Sequence, residues 1–266
     1  MLSGTSVRSE FEDRGFIVVP RAVRIDLVQK LCAEVDRLLA DSPNRGGVRN
    51  GLAKSAVLSE LSASGAPLSM ARSILGSRAK PTKLTIFDKT PDANWRIPWH
   101  QDLTITVEKR CDIPGYGPWT VKDGLPHVQP PAAVLQQTVA IRLHLDDTPP
   151  ENGALWVLAG THLLGRLSDT RIQELRDRME GIVCPVAVGG AMLMSPLLLH
   201  SSRRATSPGR RRVLHFEFSA ALLPEGLAWA YSQGRRTTPL HRAADAAGEG
   251  QDRWADETLR SACTDS

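Results

Sequence analysis

Ile97-Pro98-Trp99-His100-Gln101-Asp102 is the stretch on which the reading of this chain turns. A histidine and an aspartate two residues apart on a β-strand project to the same side, because strand side chains alternate with a period of two. One backbone segment can therefore offer an imidazole and a carboxylate to a single metal ion. A hundred residues later His200 follows the apolar run Leu197-Leu198-Leu199, and Arg211 comes eleven residues after that. Two imidazoles and one carboxylate form the facial donor set of non-haem Fe(II) sites, which leaves three cis positions open. A lone His-x-Asp is common by chance. The distal histidine and the arginine make the set informative.

The sequence around this stretch is rich in strand patterns. Candidate strands fall at 83–88, 99–106, 134–145, 155–158, 183–188, 191–194, 197–200 and 211–219, with one helix at about 169–179. Many short strands separated by Gly/Pro turns predict a mainly β fold, a jelly roll or cupin-like double-stranded β-helix with flanking helices. Upstream, residues 11–20 read as a turn and a short apolar strand ended by Pro20. A helix follows Asp26, with Leu27, Val28, Leu31, Val35, Leu38 and Leu39 on one stripe. Turn residues mark 41–47 as a loop, and weaker helical patterns cover 53–61 and 68–75, so helical elements occupy about 24–80. Residues 107–133 lack periodicity and are dense in glycine and proline. Their position just after Asp102 predicts a structureless lid over the site. The whole of 1–266 is expected to form one domain.

Composition narrows the function classes. With 266 residues and 41% hydrophobic content, one sizeable core can form. The net charge of +4 comes from interspersed signs, which argues against a nucleic-acid surface, although Arg203, Arg204, Arg210, Arg211 and Arg212 cluster locally. Cys32, Cys111, Cys184 and Cys263 are far apart and show no CxxC spacing, so reduced thiols are expected rather than a disulfide framework or zinc knuckle. No segment reads as a signal peptide or a membrane span, which predicts a soluble, cytoplasmic protein with a small-molecule substrate and no nucleic-acid or membrane partner.

Arg211 opens an apolar strand. If that strand neighbours the one ending at His200, the guanidinium faces the metal and needs a carboxylate, because an unpaired buried charge is costly. A dicarboxylic co-substrate supplies one, bidentate to Arg211 at one end and chelating the metal at the other. Arg210 and Arg212 read as a solvated basic turn. His127, His144, His162 and His215 are each open to a structural role.

Taken together, these stretches resemble the phytanoyl-CoA hydroxylase family of Fe(II)/2-oxoglutarate-dependent dioxygenases. The resemblance rests on Gly15-Phe16-Ile17-Val18-Val19-Pro20, on Lys89 before Trp99-His100-Gln101-Asp102, on the run from Leu145 through Asn152-Gly153 to Leu155, on Gly160-Thr161-His162, and on His200-Ser201-Ser202 before Arg211. It implies Fe(II) held by His100, Asp102 and His200, 2-oxoglutarate held by Arg211 with Ser202, and O₂ as oxidant. The implied activity is hydroxylation of an unactivated C–H bond with release of succinate and CO₂. Related halogenases have a small residue in place of the carboxylate, so Asp102 favours hydroxylation, desaturation or ring chemistry.

Asn152-Gly153 reads as a tight turn, and His162 as a structural or supporting residue. Arg96, Gln101, His127 and Arg142 are candidate substrate contacts, suited to a polar or anionic metabolite. Arg142 stands where some members carry an aromatic residue, and its position suits contact with an anionic substrate, contact with 2-oxoglutarate or exposure to solvent. Two other readings remain open: a cupin-like isomerase or hydrolase using another metal, and a non-catalytic binding protein on the same fold.

Overall fold

The computed structural model describes residues 4–40, 46–207 and 209–231; most of the expected 41–47 loop and Cys263 lie outside them. The helices are α1 (Gly4–Arg14), α2 (Ile25–Ala40), α3 (Gly51–Lys54), α4 (Ala56–Ser64), α5 (Ala66–Leu75), α6 (Ala132–Leu135) and α7 (Asp169–Arg178). The strands are β1 (Phe16–Val19), β2 (Gly47–Val48), β3 (Lys80–Lys89), β4 (Ile97–His100), β5 (Ile105–Thr106), β6 (Trp119–Lys122), β7 (Leu125–Val128), β8 (Thr138–His144), β9 (Leu155–Val157), β10 (Ile182–Cys184), β11 (Ala191–Met194), β12 (His200–Ser202) and β13 (Arg211–Ser219).

The strands build a six-stranded sheet in the order β1-β11-β8-β13-β3-β2 and a four-stranded sheet in the order β10-β9-β12-β4, the expected double-stranded β-helix. Alternation along β8 shows how the layers form. Val139, Ile141 and Leu143 belong to the core that packs under the helices, whereas Ala140 belongs to a second apolar cluster with Leu155 and Val157 of the other sheet. Arg142 shares the inward parity of Ala140 and lines a cavity. The space between the sheets is thus apolar in one part and polar in another. On α2, Val28, Leu31, Val35 and Leu38 are buried at helical spacing, each contributing about 1.5–3 kcal/mol on full burial.

Several expected boundaries move. Residues 4–14, given no helical pattern above, form α1, which hands the chain directly to β1. The strand expected at 99–106 breaks at 101–104, where Asp102 N donates to Pro196 O at 2.9 Å. Asp102 therefore lies just beyond β4 rather than on it. The strand expected at 134–145 begins as α6, and the one at 183–188 shortens to β10. Leu197-Leu198-Leu199 are buried in a turn, and β12 starts only at His200. The 107–133 segment is not structureless: β6 and β7 form a hairpin that joins β5 in a three-stranded sheet. Arg210 and Arg212 are not a solvated turn either. Arg210 bonds Asp88 and Asp36, and Arg212 bonds Asp146 and Asp36, tying β13 to β3, α2 and the end of β8. No helix among the described residues is long and apolar enough to cross a membrane.

Candidate functional site

β12 lies between β9 and β4, and its first residue, His200, is the register partner of His100. The two rings stand 4.1 Å apart, centroid to centroid. Their orientation comes from the backbone: His100 Nδ1 is 2.9 Å from Pro98 O, and His200 Nδ1 is 2.9 Å from Leu198 O. A carbonyl only accepts, so each Nδ1 carries the proton and each Nε2 keeps a lone pair. Asp102 completes the set, with Oδ1 3.6 Å from His100 Nε2 and Oδ2 3.7 Å from His200 Nε2. Ligand atoms of all three residues lie within 4.8 Å of one another. One divalent ion fits between them.

Electrostatics match that arrangement. Burial alone would raise the Asp102 pKa, but His200 and His100 hold it well below the usual carboxylate range. Burial, reinforced by His100, pushes His200 down to about 3, so its imidazole is neutral and able to ligate at neutral pH. Burial also opposes the charged form of His100, but the Asp102 carboxylate outweighs it and raises the pKa.

The three residues open into a cavity of about 1050 Å³. Arg211, buried, lies in its wall; Nη1 donates to Gly153 O, and Nε is buried without a partner. Ser202 Oγ donates to the same Gly153 carbonyl at 3.0 Å. Gly153 has φ +73, and an added Cβ would stand 3.1 Å from Arg203 O, so the turn suits glycine and presents its carbonyl to both side chains. Lys89, register partner of Arg211, donates to Trp95 O at 2.6 Å and lies 3.4 Å from Ser202 Oγ. Burial, with Arg211 and Arg142 nearby, lowers its amine to about 6. No carboxylate comes within 4.0 Å of Arg211 among the described residues, so a carboxylate-bearing ligand fits a guanidinium that lacks a counter-ion and whose Nε has no partner.

The proposed substrate contacts separate. Arg142 and His127 are buried and line the cavity, whereas Arg96 is exposed and does not. Gln101 also borders the cavity, but its amide is engaged by backbone. Nε2 donates to Gly165 O at 2.9 Å and Leu197 O at 2.6 Å, and Oε1 accepts from Leu167 N at 2.9 Å. The 107–133 segment supplies wall residues, among them Lys122, His127 and Gln129. Sequence reasoning gave His215 only a structural role and passed over Glu217, yet both line the cavity. His215 Nε2 is 4.0 Å from Asp102 Oδ2 and 3.6 Å from Glu217 Oε1, and Lys83 pairs with Glu217 at 2.8 Å. The signal was present: counting by twos from Arg211 along β13 puts 215 and 217 on its face. His162, by contrast, lies 3.1 Å from Glu12 O beside α1, a structural position.

A family model described as phytanoyl-CoA dioxygenase matches residues 11–213. No curated protein matches significantly. Among crystal structures, the chain is similar to the epimerase SnoN in complex with Fe³⁺, alpha ketoglutarate and nogalamycin RO, at 19% identity and TM-score 0.65 over 93% of this chain and 96% of that one. It is similar to the non-heme alpha ketoglutarate dependent carbocyclase SnoK from nogalamycin biosynthesis, at 15% identity and TM-score 0.62 over 80% and 83%. It also resembles EctD from S. alaskensis with bound Fe, at 19% identity and TM-score 0.62 over 80% and 75%.

Proposed function

Because the chain belongs to the phytanoyl-CoA dioxygenase family, we propose that it is an Fe(II)- and 2-oxoglutarate-dependent dioxygenase that hydroxylates an unactivated C–H bond of a small metabolite. The observation that carries this reading is the convergence of His100 Nε2, Asp102 and His200 Nε2 in one cavity with the Arg211 guanidinium, whose Nε has no partner. In it, His100, Asp102 and His200 would hold the iron, and Arg211 with Ser202 would hold a carboxylate of 2-oxoglutarate.

The bound iron and co-substrate supply the oxidation, with 2-oxoglutarate and O₂ consumed and succinate and CO₂ released. The chain's own residues bind, orient and exclude water. Pro98 O and Leu198 O fix the imidazole tautomers. Gly153 O aims Arg211 and Ser202. Lys89, neutral at neutral pH with a pKa of about 6, is a donor near the co-substrate without adding a charge. With Lys89 neutral, six basic and three acidic charges remain among the side chains lining the cavity, which favours an anionic substrate. The 107–133 segment serves as a substrate-side wall. Free thiols at Cys32, Cys111 and Cys184 suit a reducing, cytoplasmic setting.

The test is succinate release from 2-oxoglutarate by the Fe(II)-loaded protein under O₂, absent in His100→Ala. A cupin-like isomerase or hydrolase, or a binding protein, would release none. Since SnoN and SnoK are titled an epimerase and a carbocyclase, product mass decides the outcome class. Hydroxylation adds one oxygen atom, epimerisation leaves the mass unchanged, and ring closure removes two hydrogens.

A further inference from the structure

Arg142 carries a charge that the site described above does not use. It sits on β8 opposite His215, buried, with its guanidinium carbon 5.5 Å from the Phe87 ring centroid. Nη1 donates to His215 Nδ1 at 3.0 Å. Nε is buried without a partner, Nη2 makes no hydrogen bond, and no carboxylate lies within 4.0 Å among the described residues. Burial lowers its pKa only to about 10, so the group is charged at neutral pH. A buried guanidinium in that state needs a counter-ion.

The charges of the loaded site show where one is missing. A divalent ion, the Asp102 carboxylate, a dianionic co-substrate and the Arg211 guanidinium cancel. Glu217 and Lys83 cancel as a pair. Lys89 is neutral at neutral pH, with its amine near 6. Arg142, linked through His215 to the surroundings of Asp102, is left over, and among the described residues the Nε–Nη2 edge that grips a carboxylate bidentately has no partner.

We infer that Arg142 is a substrate anchor that takes a carboxylate of the substrate, which makes this enzyme one that acts on carboxylic acids. The inference rests on the reading under Proposed function. His215 is then a positioning residue. Because a guanidinium only donates, His215 Nδ1 accepts and its ring proton sits on Nε2, which holds the Nη1 corner of Arg142 and leaves the other edge to the ligand.

The test uses the full chain loaded with Zn(II) and labelled with ¹⁵N-arginine, the Arg142 Nε–H resonance being identified by its loss in Arg142→Lys. Calorimetry of 2-oxoglutarate binding to wild type and to Arg142→Met is expected to give affinities within about twofold of each other. Acetate added to the 2-oxoglutarate complex should then shift the Arg142 resonance, and acetamide, its uncharged counterpart, should not. If Arg142→Met weakens 2-oxoglutarate by about tenfold or more, the guanidinium belongs to the co-substrate and the assignment is overturned. If acetate leaves the resonance in place, it is overturned as well. Should 2-oxoglutarate fail to bind wild type at all, the co-substrate reading falls instead, and acetate added to the Zn(II)-loaded protein without it still reports on Arg142. Arg142→Lys, which keeps the charge, controls for loss of folding in Arg142→Met.

Discussion

His100 and His200 are cross-strand partners whose Nδ1 atoms meet the carbonyls two residues behind them, Pro98 and Leu198, at the same 2.9 Å. Matching local hydrogen bonds on two strands thus aim two Nε2 lone pairs at one point, before any ion binds. His100→Ala or Asp102→Ala should abolish Fe(II)-dependent turnover and weaken Co(II) binding by about 10²-fold or more, while the far-ultraviolet circular dichroism stays native. Calorimetry with Co(II) checks this. Undiminished binding in both variants would place the metal elsewhere.

Arg211→Met should weaken 2-oxoglutarate by about 10²-fold, the ~2–3 kcal/mol expected for truncating one partner of a buried charge pair. The same change should leave 2-oxopentanoate, which lacks the far carboxylate, almost untouched. Loss of preference between the two acids is the readout. If Arg211→Met weakened both acids alike, the guanidinium would not be the anchor of the far carboxylate.

Gly153→Ala tests the carbonyl that aims Arg211 and Ser202. At φ +73, with Arg203 O 3.1 Å from an added methyl, alanine forces the turn to shift. The expected cost is about 1–2 kcal/mol of stability. Affinity for 2-oxoglutarate should fall with it, because Arg211 and Ser202 lose their shared acceptor. A melt and a binding isotherm on the same sample check both. Lost stability with unchanged affinity would show that the Gly153 carbonyl does not position Arg211.

Part of this site was legible before folding and part was not. The β13 boundaries, 211–219, were read correctly, and counting by twos from Arg211 marks the face of that strand that lines the cavity. The break after His100 was not legible. Asp102 leaves the strand because its N–H goes to Pro196 O, a partner 94 positions away that no local pattern encodes. The helix at 4–14 escaped for a different reason: Phe11 is its one well-buried apolar anchor among the residues whose burial is described, so amphipathic periodicity is weak. Arg142 could be placed on a strand from sequence, yet whether it faced solvent or cavity depended on the register with His215.

Lys89 predicts a pH dependence. Its folded pKa of about 6 lies below the ordinary 10.5, so between those values the unfolded chain holds a proton that the native one does not. Stability contributed by this group therefore rises with pH across that window, and the penalty is full below about 6. Lys89→Met should raise the melting temperature of the metal-free protein at pH 7 by an amount worth on the order of a few kcal/mol. The gain should shrink toward nothing above pH 10.5, where the amine is neutral in the folded and the unfolded wild type alike. Melts of both proteins at neutral and strongly alkaline pH decide it. A gain independent of pH would mean that the amine is not buried neutral.

Gln101 stands between His100 and Asp102, yet its amide spends three hydrogen bonds on the backbone of Gly165, Leu167 and Leu197. Residues 165–168 lead into α7, whose first turn borders the cavity, and Arg166 reaches Gln129 at 2.6 Å from the same segment. The amide thus braces the α7 side of the cavity against the strand that carries His100. Gln101→Met keeps length and removes all three bonds. Hydrogen exchange at residues 165–172 should speed by about tenfold or more, since the opening of a segment is governed by the local bonds that hold it. Co(II) affinity should stay within about threefold, because His100 and Asp102 owe their positions to Pro98 O and Pro196 O rather than to this amide. Turnover should then lose substrate affinity before it loses maximal rate, as expected when a cavity wall loosens and the metal does not. If instead Co(II) binding collapsed while exchange at 165–172 stayed slow, Gln101 would support the metal residues and not the wall.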